Sequence, residues 1–371
     1  MKPDEKRVGE IDVLRGFAML GVFIVNFVEM NTLPPGLDTV FPIYHDAIDS
    51  FVQWLYHGTF HGKFYLIFVF LFGYSLPFTV ISATKKGLNV DAIVMRRMTA
   101  LMLIGVVLSG LCWWGVILMP YALFGFIMWG LVRAFSEKIN ITIATLLVVA
   151  VPTIANNFKL ANTYEFILDK EALTTLFSNG GFWNWVHLIP VQLKGVYWGF
   201  FTDGMNSLFY PGQIAYMSML LGLFMLGWYA AMHKVITNTS IGTYVGIIAV
   251  GILVYACACY FDPKDNFYFL RLSQTLAMSA SVIILSRLSD SPLTRLFSLV
   301  GRTSFSAYAF HLILGAVVFF ILGYFQRFSY GILLVLALAT YLMAAAACWV
   351  MQRKYGAGIF EVLMKRLTFG N

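Results

Sequence analysis

From residue 11 onwards the chain is a succession of apolar runs, each close to 20 residues, separated by short polar connections. They cover roughly 11–30, 64–84, 95–115, 117–134, 140–156, 209–231, 240–260, 269–286, 303–325 and 330–351. About 20 residues of α-helix reach about 30 Å, the thickness of a bilayer's hydrocarbon. Composition agrees: 60% of the 371 residues are apolar, only 12% are charged, and the mean hydropathy is +0.78. So much apolar surface exceeds what a water-soluble core can hide. The predicted fold is therefore all-α, a polytopic transmembrane helix bundle of about ten spans. It forms a single integral membrane domain over residues 1–371.

Charge sets the expected orientation. With both termini cytoplasmic, only Lys63, Lys159, Lys170, Lys194, Lys264, Arg271 and Arg327 fall outside, and the other 18 of the 25 Lys and Arg lie inside. That asymmetry is what the positive-inside rule expects. The net charge of +7 is then an orientation signal plus attraction to anionic lipid. No basic stripe with interleaved aromatics suggests nucleic acid. The first run has a basic start but no small-residue cleavage site, so it reads as a retained span. Cys112, Cys257, Cys259 and Cys348 all lie in apolar runs, suggesting neither a disulfide framework nor a zinc site.

Two long outer segments, 31–63 and 157–208, are expected to carry interfacial helices over the outer mouth of the bundle. The first holds "HDAIDSFVQWLYHGTFHGKF" and the second the Trp-rich "GFWNWVHLIPVQLKGVYWGFF". The glycines of "GTYVG" (Gly242, Gly246) and of the 209–231 run read as close helix packing.

Polar groups inside apolar helices are costly and draw attention to function. In "EIDVLRGFAMLGVFIVNF" and its continuation, Asp12, Arg15, Asn26 and Glu29 share an arc of roughly 100° on one helix face. Asp12 and Arg15 suit a local ion pair and topology anchor, or a grip on an anion such as phosphate. Asn26, about 16 Å further along, suits an interhelical hydrogen bond or a site; Glu29 is expected to be solvated. His57 and His61 stand four apart with Lys63 just beyond. They read either as part of an aromatic belt or as a general base, and Lys63 as a snorkelling cation. Only His45 and Asp49 lie near enough to complete a metal site, so no metal is expected. In "GRTSFSAYAFHLIL", Arg302 marks the foot of a span and His311 lies roughly 13 Å up it. His311 is either a satisfied packing residue or a site residue.

"DVLRGFAMLGVFIVN", "GKFYLIFVFLFGYS", "MPYALFGF" and "GRTSFSAYAFHLIL" resemble the landmarks of the YeiB-like family of bacterial membrane proteins. That family is similar to the transmembrane acyltransferase superfamily, which includes heparan-α-glucosaminide N-acetyltransferase and the family-three O-acyltransferases. The resemblance implies a multi-pass protein of the bacterial inner membrane. It would move an acyl group from cytoplasmic acyl-CoA, as co-substrate, to a hydroxyl or amine on an outer small-molecule, lipid or glycan acceptor. Arg15 matches the first-span arginine of the acyl-donor path, with Arg302 or Arg96 and Arg97 expected nearby on the CoA phosphates. Asn26 matches the first-span asparagine of the heparan-type enzymes and would stabilise the oxyanion, with His61 or His57 as base. Asp12, Lys63 and His311 complete the expected polar path.

Two rival readings use the same residues. A transporter for a small amphiphile would employ the stripe as a substrate path. A lipid-binding protein with a degenerate site is suggested by "CWWGVILMPYA", which lacks an aspartate common in YeiB-like chains. Beyond the bilayer and the acceptor, a second copy of the chain is a further candidate partner.

Overall fold

The computed structural model describes residues 9–32, 46–157, 170–200, 211–261 and 267–370. Among them the chain is an all-α bundle with the features of a helical membrane protein. Its helices are α1 (Gly9–Met30), α2 (Ala47–Leu55), α3 (Phe64–Lys85), α4 (Val90–Leu111), α5 (Leu118–Ala134), α6 (Glu137–Asn157), α7 (Lys170–Ser178) and α8 (Phe182–Phe200). There follow α9 (Pro211–Met232), α10 (Val235–Asn238), α11 (Ile241–Phe261), α12 (Phe267–Leu288), α13 (Pro292–Arg302), α14 (Ser304–Ala316), α15 (Tyr330–Tyr355) and α16 (Ile359–Phe369). Single π-helical turns close α2 at Tyr56–Phe60 and α14 at Val317–Ile321.

Seven helical stretches among the described residues are long and apolar enough to cross a bilayer; α5 and the first part of α11 are shorter apolar helices. The expected run at 269–286 is helical throughout. Its helix, α12, has the length of a span but carries Arg271, Ser273, Gln274 and Thr275 in its outer turns. Helix α13 lies ahead of the expected 303–325 run. It is amphipathic, opened by Pro292 and by the Ser291 side chain accepting from Thr294 N, and it breaks from α14 at Thr303.

The first helix stands at the centre. Its flanks look lipid-compatible in sequence, yet they pack on α3, α12, α13, α14 and α15. Two glycines allow the tightest crossing. A Cβ on Gly16 would fall 1.9 Å from Phe297 O, and one on Gly301 only 1.8 Å from Asp12 O. Backbone therefore meets backbone where α1 crosses α13, and Asp12 lies beside Arg302. Gly73 of α3 and Gly227 of α9 repeat the arrangement against Phe224 O and Phe70 O, while Gly222 of α9 meets Ala144 O of α6. The expectation for "GTYVG" is overturned: Gly246 has nothing within 4 Å of a Cβ, and Gly242 meets only Ser240 Oγ of its own cap at 3.8 Å. Glycine spacing alone does not say which face of a helix meets another.

Helix α2 has the character of an interfacial helix. Ile48, Phe51 and Trp54 are 72%, 57% and 68% exposed on one face, while Asp49 turns inward and accepts from Gly331 N at the start of α15. Residues 33–45 of that outer segment, including His45, lie outside the described residues, as do 158–169 and 201–210 of the second segment. The described part of the second does more than cover the bundle. Helix α8 packs beside the end of α4, with Leu193 and Ile189 against Gly110 and Gln192 Oε1 accepting from Trp114 N at 2.8 Å.

The ends of the helices sort into two faces. Glu10 with Arg287, Asp12 with Arg302, and Lys86 over the Phe369 ring gather at the face where α1 begins. Asn31 with Gln326, Tyr330 with His57, and Arg271 with His61 gather at the opposite one.

Candidate functional site

The stripe on α1 joins three groups of polar side chains. At its start, Asp12 is 1% exposed and held between two guanidiniums, Arg15 Nη1 at 3.7 Å and Arg302 Nε at 3.6 Å. The i,i+3 partner was legible in sequence; Arg302 arrives through the Gly16–Gly301 crossing. Arg97 of α4 lies within electrostatic reach of Arg15, and its buried Nε has no hydrogen-bond partner. Arg96, expected in the same group, is exposed on α4. Arg15, Arg97 and Arg302 thus gather around the single carboxylate of Asp12, beside the Glu10–Arg287 pair of the same face, and a guanidinium cluster of this kind suits an anion.

A cavity of about 730 Å³ opens on the same face, lined among others by Glu10, Arg287, Asp290, Arg295, Arg302 and Gln352. Arg287 gives its Nε to Glu10 at 2.7 Å and its Nη2 to Ile236 O at 2.6 Å, tying α10 and α12 to α1. Arg295 is bidentate on Asp290, both at 2.9 Å, and its hydrogen bonds hold that carboxyl below the usual range.

In mid-bundle, Asn26 Nδ2 donates to His311 Nε2 at 2.9 Å. An amide nitrogen has no lone pair to offer, so Nε2 is the acceptor and the imidazole proton of the neutral ring sits on Nδ1. His311 is fully buried, stacked on Phe23 at 4.3 Å and edged by Tyr308 at 5.0 Å. Tyr341, against Phe23, donates to Gly16 O, and Tyr308 accepts from Ile117 N. Asn26 therefore fits the interhelical hydrogen bond, which occupies the lone pair of His311 Nε2.

At the far end the histidines of "HGTFHGKF" keep other company. His57 Nε2 lies 3.4 Å from Tyr330 Oη, and His61 Nδ1 accepts from Arg271 Nη2 at 3.4 Å. Their rings are 5.8 Å apart, with Tyr56 stacked on His61. Lys63 does not snorkel. It is 3% exposed and directs Nζ to Gly58 O at 2.7 Å, His57 O at 3.3 Å and His61 O at 3.5 Å, gathering carbonyls of the π-helical turn. Glu29 is only partly exposed rather than solvated, and it lies in the field of Arg271. Arg271 was read from sequence only as an outer charge. A cation five residues into a helix opposes the macrodipole there, and that conflict was the available signal.

No group of three or more His, Cys, Asp or Glu that could hold a metal ion occurs among the described residues.

Fold and site together define a helical membrane protein with charged clusters at both ends of one enclosed helix. Residues 265–371 match a family described as "Protein of unknown function (DUF418)". The chain is 29% identical over 168 residues, 44% of its length and 42% of the relative's, to "Uncharacterized protein YxaH" of Bacillus subtilis (strain 168). It is 33% identical over 102 residues, 27% of each chain, to "Uncharacterized 39.9 kDa protein in amylase 3'region" of Bacillus acidopullulyticus. The chain thus spans less than half the length of these curated relatives. No solved structure matches it at a significant level. The family match includes Arg271, Arg302 and His311, one residue from each of the three polar groups.

Proposed function

We propose that the protein is a membrane-embedded acyltransferase. It takes an acyl group from acyl-CoA at the Arg15–Arg302 end and passes it to a hydroxyl or amine acceptor reached from the opposite end. The observation that carries the reading is the run of polar groups along one enclosed helix: arginines beside a cavity, an amide–imidazole pair in mid-bundle, and an imidazole cluster beyond. In this reading the basic face is cytoplasmic, as the Lys and Arg distribution favours, and the membrane is the bacterial inner membrane.

The chemistry follows from the groups present. Arg15 and Arg302, with Arg97 behind them, bind phosphates of the donor. An extended thioester brings its carbonyl towards Asn26, about 16 Å from Arg15 along the helix. The Asn26 amide hydrogen-bonds the developing oxyanion and, in turning to it, releases His311 Nε2. That nitrogen removes the acceptor's proton as the acceptor oxygen or nitrogen bonds to the acyl carbon. The C–S bond breaks, and the CoA sulfur leaves with the proton returned by the imidazole. His311 thus takes the base role first assigned to His61 or His57, which serve the acceptor end. A bundle interior that excludes water limits hydrolysis of the thioester.

The test is a thermal shift of the purified protein with acetyl-CoA and longer acyl-CoAs. A site filled at ten times its dissociation constant adds roughly 1.4 kcal/mol. Stabilisation by thioesters supports the transferase; an unmoved transition at millimolar ligand returns the polar path to a transporter for a small amphiphile.

A further inference from the structure

The geometry points to a receptor for the anionic headgroup of a membrane lipid at the end of the bundle opposite the α1 N-terminus, anchored by Arg271.

Arg271 is the hub of that end. Its guanidinium gives Nη2 to His61 Nδ1 and lies so close to the chain that a Cβ on Gly62 would fall 2.2 Å from its Cζ. Gly62 is doubly required there, because its φ of +79° is also a left-handed conformation. The field of Arg271 reaches Glu29 of α1, Tyr56, Lys63, Tyr65 of α3 and Tyr216 of α9. Elements that are distant in sequence thus converge on one cation near the end of the bundle. Such a charge is expensive unless it serves an anion or a function.

The charges around it favour an incoming anion. Among the described residues Glu29 is the carboxylate in the field of Arg271, whereas Lys63 adds a second cation whose ammonium is bonded to neutral carbonyls. The carboxylate of Asp49 is bound to the N-terminus of α15 through Gly331 N. His61 contributes a donor too: with Nδ1 accepting from Arg271, its neutral ring carries the proton on Nε2. The positive end of the α12 dipole adds to the same sign.

A lipid is favoured over a soluble anion by what lies beside the cluster. The adjoining α2 turns Ile48, Phe51 and Trp54 outward. A phosphate on Arg271 would leave its acyl chains against that apolar surface. Calling such a lipid the acyl acceptor rests on the transferase reading; its binding does not.

Calorimetric titration of the full-length protein in detergent tests this, using dihexanoyl-phosphatidylglycerol, dihexanoyl-phosphatidylcholine and inorganic phosphate as separate probes. Wild type is expected to bind the phosphatidylglycerol at least tenfold tighter than the phosphatidylcholine, and Arg271→Gln to lose that preference. Arg271→Lys should keep part of it. A saturable phosphate isotherm lost in Arg271→Gln supports the anion site and makes free phosphate its source. Equal affinity for the two lipids in wild type without phosphate binding overturns the proposal, as does an anion preference unchanged in a folded Arg271→Gln. The acetyl-CoA thermal shift, read on the same variant, stays intact if only the lipid site is lost. A failure of the transferase reading shows as a missing shift in wild type.

Discussion

Asn26 donates to His311 across 285 residues of sequence, 2.9 Å apart between two helices that are otherwise apolar at that depth. Removing one partner leaves the other buried and unsatisfied, a cost of about 1–3 kcal/mol. Membrane-protein cycles report smaller values, about 0.6 kcal/mol on average, because the reference state also finds partners. Asn26→Leu and His311→Leu should each destabilise, and the double variant should recover about 0.6–2 kcal/mol of the sum. Equilibrium unfolding in mixed micelles measures this. An additive cycle would mean the bond contributes nothing to the fold.

The glycine crossings give a paired test. Gly301→Ala directs a methyl at the Asp12 carbonyl, where only backbone can yield. Overpacking of this kind costs about 1–3 kcal/mol or more, and α13 should separate from α1, taking Arg302 away from Asp12. Gly246→Ala meets nothing within 4 Å and removes a helix-interior glycine, so it should be neutral or stabilising by up to about 1 kcal/mol. Thermal unfolding of the two purified variants checks the contrast.

These cases mark what the sequence could carry. The Asp12–Arg15 pair was legible because an i,i+3 neighbour lies on the same helix face. Run length announced the helices, since length and apolarity are properties of a single segment. Asn26–His311 and Arg271–His61 were not legible, because pairing across hundreds of residues is decided by which helix faces meet. The same ignorance misread "GTYVG". It also left α13 unseen, whose 11 residues are too short and too amphipathic to register as a span. Lys63 was misjudged for another reason: the π-helical turn turns its own carbonyls towards the ammonium, and nothing in "HGTFHGKF" announces that turn.

Orientation is testable through positions on opposite faces. Ser50 is exposed on α2 and Lys354 is exposed near the end of α15. In a background without Cys112, Cys257, Cys259 and Cys348, Ser50→Cys should react with an impermeant maleimide in intact cells, and Lys354→Cys only after permeabilisation. The reverse pattern would invert the bundle and move the arginine-lined cavity to the outside.

Asp12 separates a structural ion pair from a donor site, because the two roles predict opposite signs. Its side chain is 2% exposed and shared by Arg15, 21% exposed, and Arg302, 51% exposed. Neutralising it in Asp12→Asn leaves two guanidiniums without their carboxylate, which should cost about 1–3 kcal/mol, discounted from a fully buried pair by the solvent reaching Arg302. If the arginines hold donor phosphates, the same change removes a competing anion, and acyl-CoA should bind a few-fold tighter to the less stable protein. Arg15→Ala should do the reverse to binding, weakening it by about 1.5–3 kcal/mol, the range for hydrogen bonds to charged groups. Fluorescent acyl-CoA titrations on both variants, beside their melting curves, separate the roles. Loss of stability with unchanged affinity in both would leave Asp12, Arg15 and Arg302 as an anchor for α1 against α13 and nothing more.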